Sequence, residues 1–78
     1  MKNTNKEKLL ENISMIAYIR KGAQLHGNER GAERWESRLH EAINISLMLE
    51  MLTDEEILNA IRSGEEEQER DNKQIEAA

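Results

Sequence analysis

Residues 26–31 read His26-Gly27-Asn28-Glu29-Arg30-Gly31, and this hexapeptide separates two long stretches of helix-forming sequence. Glycine reaches positive φ without steric cost and asparagine caps helices, so the hexapeptide predicts a turn with Asn28 capping the second stretch. Upstream, Thr4-Asn5-Lys6-Glu7 has the form of a capping box. It opens a first helix predicted from about Asn5 to about Leu25, whose stripe is Leu9, Ile13, Ile16, Ala17, Ile19 and Ala23. Downstream, a second helix is predicted from about Ala32 to Leu52, with Trp35, Leu39, Ala42, Ile43, Ser46 and Leu49 facing inward. A second capping box, Thr53-Asp54-Glu55-Glu56, starts a short third helix that buries Ile57, Ala60 and Ile61 and ends near Ser63-Gly64. Period-two alternation is absent, so the predicted fold is all-α: an antiparallel helical hairpin plus a short third helix, in an oligomeric assembly.

The chain has 78 residues, a formal net charge of −5, one Trp, one Tyr and no Cys, Pro or Phe. Without Cys there is no disulfide scaffold and no thiolate chemistry. No apolar run approaches the roughly 18 residues of a membrane span, and the N-terminus does not resemble a signal peptide, which points to a cytoplasmic protein. The charge is uneven: residues 1–40 sum to +3 and residues 41–78 to −8. Six of the acids fall in residues 65–78, a stretch poor in large apolar residues. The expected organisation is thus a helical unit over 1–64 and an acidic, solvated tail over 65–78. Gly64 alone interrupts the helical pattern there, which leaves a helical continuation open.

A domain this small is marginal without a staple, and self-association is the common remedy when disulfides and metals are missing. The second helix reads Ile43-Asn44-Ile45-Ser46-Leu47-Met48-Leu49-Glu50-Met51-Leu52, apolar on nearly every side. The first helix carries a second row, Met15, Tyr18, Gly22 and Leu25, opposite its main stripe. One short helix cannot cover both surpluses. Met15, Tyr18, Gly22, Leu25, Ile45, Leu47, Met48, Met51 and Leu52 are accordingly the expected homo-oligomer interface, and burial under the third helix is the competing reading.

Catalytic signatures are weak. His40-Glu41-Ala42-Ile43-Asn44 stops one residue short of the two-histidine zinc helix, because Asn44 stands where the second His is needed. No nucleophile triad or glycine-rich phosphate loop is visible, so neither an enzyme nor a cofactor or metal is expected. The basic residues near the turn are more suggestive. Arg30, Arg34 and Arg38 recur every four residues along one helical row, and Arg20, Lys21 and His26 come from the other arm. With Tyr18 as a stacking ring, Tyr18, Arg20, Lys21, Arg30, Arg34 and Arg38 form a candidate site for a small anionic nucleotide. The competing reading is that Glu29, Glu33 and Glu36 neutralise the arginine row. Arg20 falls on the core stripe, where a charge needs a partner or a route to water. Double-stranded DNA is not expected, since the would-be recognition helix begins Asp54-Glu55-Glu56.

Arg34-Trp35, with Ile43 and Leu47-Met48 after it at helical spacing, resembles the second helix of small phage proteins that inhibit CBASS immunity. The resemblance implies a helical hairpin that oligomerises and sequesters a cyclic oligonucleotide in the host cytoplasm. By residue type, Tyr18 would stack on a base while Arg20 or Lys21 held the phosphates. The chain's length and hairpin are also similar to those of small sporulation phosphatases, but Ser37-Arg38-Leu39-His40-Glu41 lacks their signature. Two functions are therefore expected: a self-associating helical interaction or inhibitor protein that engages a protein partner, or a nucleotide sponge.

Overall fold

The computed structural model describes residues 5–77, with side chains described through Ile75. All three elements are helices: α1 (Asn5–Leu25), α2 (Glu29–Met48) and α3 (Asp54–Ala77). Among the described residues there is no strand. The capping box at Thr4 lies outside the described residues. Both α2 and α3 pack on α1, which makes α1 the shared wall of the core.

The predicted turn after α1 and the predicted start of α3 each have a hydrogen-bonded explanation. At the end of α1, Gly27 has φ of 72°, the amide of Asn28 donates to the Ala23 carbonyl at 2.8 Å and that of Gly27 to Gln24 at 3.2 Å. This paired closure of the last turn needs a left-handed residue, and Gly27 supplies it without a Cβ clash. Asn28 then caps α2 by accepting from the Gly31 amide at 3.0 Å. The Thr53 box also forms: the Glu56 amide donates to Thr53 Oγ1 at 3.2 Å, and the Thr53 amide to Glu56 Oε1 at 3.0 Å.

α2 starts at Glu29, directly after its Asn28 cap, rather than at about Ala32, and two further boundaries differ from the expectation. First, α2 ends at Met48 rather than Leu52. The amide of Met51 donates to Ser46 O and that of Glu50 to Leu47 O, both at 3.0 Å, while Glu50 holds φ of 54°. The closure is the one seen at Gly27, but a glutamate occupies the left-handed position, so no glycine marked it in the sequence. Ending there lets Leu52 turn back into the core with Ile13, Ile16, Leu39, Ile57 and Ala60. Leu52 is therefore core, not part of an outward interface. Leu49, expected on the inner face, is exposed at the C-cap.

Second, the third helix is not short. It runs through Ser63-Gly64 for 24 residues to Ala77. Gly64 is buried and helical, and its function is proximity: a Cβ built on it would lie 3.0 Å from the Ser14 carbonyl carbon and closer still to the oxygen. Glutamate, glutamine and arginine beyond it favour helix, so nothing stops propagation. The glycine that reads as a terminator is the crossing point of α1 and α3. Gly64 sits against Ser14 and Gln68 against the Tyr18 carbonyl, each pair fifty residues apart, so the two helices run in one direction with a constant offset.

These contacts set three expected outcomes. Gly64→Ala gains helix propensity but forces backbone apart, and in urea melts it should lose roughly 1–3 kcal/mol. Gly22→Ala meets only the flexible end of Gln68 and should stay within about 1 kcal/mol of the parent. Glu50→Gly should stabilise the chain by roughly 0.5–1 kcal/mol, because it relieves a left-handed glutamate at some entropic cost. Destabilisation by Glu50→Gly would contradict the left-handed assignment.

Candidate functional site

The basic residues near the first turn do not form one open patch. Arg20, whose side chain is 16% exposed, reaches Glu65 of α3 at 2.9 Å and Glu36 of α2 at 3.7 Å. Its guanidinium thus ties α1 to both flanking helices, which meets the requirement of a charge on the core stripe. Its Nε is buried without a hydrogen-bond partner. Lys21 pairs with Glu69 at 3.3 Å. Arg38 lies over the Trp35 ring, 4.7 Å from its centroid. Arg30 and Arg34 are exposed on α2. Glu36 reaches across to Arg20 rather than only along its own helix.

Tyr18 is likewise engaged. Its hydroxyl donates to Asp71, and its backbone carbonyl accepts from Gln68 Nε2 at 3.1 Å. The hydrogen bond to Asp71, then burial, then the charges of Asp71 and Glu67 raise the phenol above its usual pKa of 10.0. An anionic nucleotide at Tyr18, Arg20 and Lys21 would have to displace Asp71, Glu65 and Glu69. At the other end of the same seam Lys6 pairs with Glu56 at 2.6 Å. That contact and the Thr53 amide hold the Glu56 carboxyl below its usual value, so the interaction supports folding above the ordinary carboxylate range and is lost on acidification.

The second surface is apolar. Ile45 is 44% exposed, Met48 80% and Leu49 61%, and their spacing of three and four places them on one face at the end of α2. Beside this ridge two shallow grooves share Leu9 and Asn12. One is completed by Ile16, Arg38, Glu41, Ala42 and Ile45, and the other by Asn5, Lys8, Leu49 and Met51. Of the expected interface residues, Ile45, Leu47 and Met48 are exposed, and Met51 is half-buried on the groove wall. The row on α1 divides: Tyr18 and Gly22 lie under α3, whereas Met15 and Leu25 are exposed. Half of that row is thus covered by the part of α3 that was expected to be a solvated tail.

The residues missed in the sequence are Glu65, Gln68, Glu69 and Asp71. Their signal was present: Ile57, Ile61, Glu65, Gln68 and Asn72 continue one helical face, and Arg20 on a core stripe called for a carboxylate. Among the described residues no group of three His, Asp or Glu is arranged to hold a metal, and no helix is long and apolar enough to cross a membrane. Compared with family models, curated proteins and solved structures, the chain matches none.

Tyr18 is the chain's one tyrosine, so its ionisation is directly readable. A phenolate absorbance titration should place it above 10.0, and Asp71→Asn should bring it down toward that value. Because the folded chain holds the phenol proton more tightly, the contact supports folding below the ordinary phenol pKa and is lost as pH rises through the folded value. An unchanged titration in Asp71→Asn would contradict the contact.

Proposed function

We propose that the chain is a self-associating helical interaction protein whose docking surface is the end of α2, with a second copy as the occupant. The observation that carries this reading is the exposed ridge of Ile45, Met48 and Leu49 beside a groove lined by Leu9, Asn12 and Met51. Clustered large apolar side chains in water are costly, and a contiguous row of them marks a contact surface. A ridge flanked by a groove on the same face suits a two-fold contact, in which each copy's ridge enters the other's groove. Met48, the most exposed of the three and unbranched, is the natural knob. The charges around the grooves are mixed, with Lys8 and Arg38 against Glu41, so two copies do not face each other with one sign.

The rows on α1 contribute less to this reading than the α2 ridge. Tyr18 and Gly22 are occupied by α3, and Arg20, Lys21 and Tyr18 are engaged by its carboxylates. The geometry therefore favours the interaction reading over the nucleotide reading. A protein partner would use the same ridge, in competition with self-association.

Sedimentation velocity at micromolar concentration should give a mass that is a multiple of the 9.1 kDa chain. Met48→Glu, at a site with no part in the core, should keep the helical circular dichroism and weaken association by about tenfold or more, since burying a lone carboxylate costs at least about 1.4 kcal/mol. A parent chain that sediments at 9.1 kDa would overturn the proposal.

A further inference from the structure

The two halves of α3 are held to α1 by different balances of force. Before the Gly64 crossing, Ile57 and Ala60 are buried in the core and Ile61 packs against it, and the Lys6–Glu56 pair adds to that apolar packing. Beyond it, the half-buried residues are Glu65, Gln68, Asp71 and Asn72, and the next apolar side chain, Ile75, is 71% exposed. The contacts that dock this half include Glu65 to Arg20 at 2.9 Å, Glu69 to Lys21 at 3.3 Å, Gln68 to the Tyr18 carbonyl at 3.1 Å, and the Tyr18–Asp71 hydrogen bond. Side-chain exposure is 50% at Glu69 and 25% at Lys21, so solvent ions screen that pair, and they reach the pair of Glu65, 30% exposed, with Arg20, 16% exposed, from the carboxylate side. Glu65 and Glu69 are also like charges one turn apart on the same helix, a repulsion that Arg20 and Lys21 offset only while the helix is docked.

We propose that residues 65–75 form a releasable strap over α1, held by charge, which opens with rising ionic strength while residues 54–63 stay packed. Opening uncovers Tyr18 and Gly22 and joins them to the already exposed Met15 and Leu25 in one continuous row along α1. The crossing at Gly64 is the fulcrum, because the backbone contact with Ser14 anchors α3 on the apolar side of that point. Local opening of a segment with few apolar contacts is the ordinary behaviour of the least stable unit of a fold. The strap is independent of the α2 ridge, so its opening does not require self-association.

Amide hydrogen exchange on the full chain, read by mass spectrometry of peptides from the two halves of α3, tests this. Between about 0.01 M and about 1 M NaCl, where the screening length falls from roughly 30 to 3 Å, exchange in residues 66–75 should rise about tenfold. Exchange in residues 55–63 should change by less than about threefold, because apolar packing is not screened. At low salt, Lys21→Glu should raise exchange in the strap by about fivefold, and adding Glu69→Lys should restore it, since the reversed pair attracts again. Lys21 is not in the core, so these variants fold through the unchanged apolar face. Exchange in the two halves that moves together with salt, or that ignores both salt and Lys21→Glu, would overturn the strap.

Discussion

The backbone contact between Gly64 of α3 and Ser14 of α1 is the constraint on which the remaining arrangement depends. Only a residue without a Cβ allows two helices this close. Once that point is fixed, the offset of fifty residues brings Gln68 to Tyr18, with Glu65 meeting Arg20 and Glu69 meeting Lys21 a turn further along. On the other side of the crossing, Ile57 and Ala60 reach the core that Ile13, Ile16, Leu39 and Leu52 build. Arg20 closes the arrangement by touching Glu36 of α2 and Glu65 of α3 together. A single α1 side chain thus touches both neighbours.

That arrangement sorts the surfaces by function. Three carboxylates of α3, Glu56, Glu65 and Glu69, answer the α1 cations Lys6, Arg20 and Lys21. The end of α2 is different: the helix closes over a left-handed Glu50 and leaves Ile45, Met48 and Leu49 in water on one face. The free-energy cost of that exposure supports the proposed self-association, because removing apolar area from water is the one large favourable term left to so small a chain.

Much of the fold was legible because it is written in local chemistry. The turn at Gly27-Asn28, the Asn28 cap and the Thr53–Glu56 box need only a few adjacent residues, and α1 has the span its periodicity implied. The errors lie where a residue type has two physical uses. Gly64 can end a helix or let two helices touch, and only tertiary packing selects the second. Glu50 adopts a conformation that its type rarely signals. Tyr18, Arg20 and Lys21 were visible as residues but not as a seam, since their α3 partners lie 45 to 53 residues away in sequence. The apolar surplus on α2 needed only a helical wheel, and Ile45 and Met48 stand exposed as that wheel implied.

That α3 is one helix docked along α1 through Gly64 is tested most directly by a nuclear Overhauser spectrum of the labelled chain at low salt. Cross-peaks are expected from the Gly64 α-protons to Ser14 and from the Tyr18 ring to Asp71, with helical shifts from residue 54 to residue 75. Gly64 α-protons that see only their own chain neighbours, with random-coil shifts beyond residue 64, would contradict it.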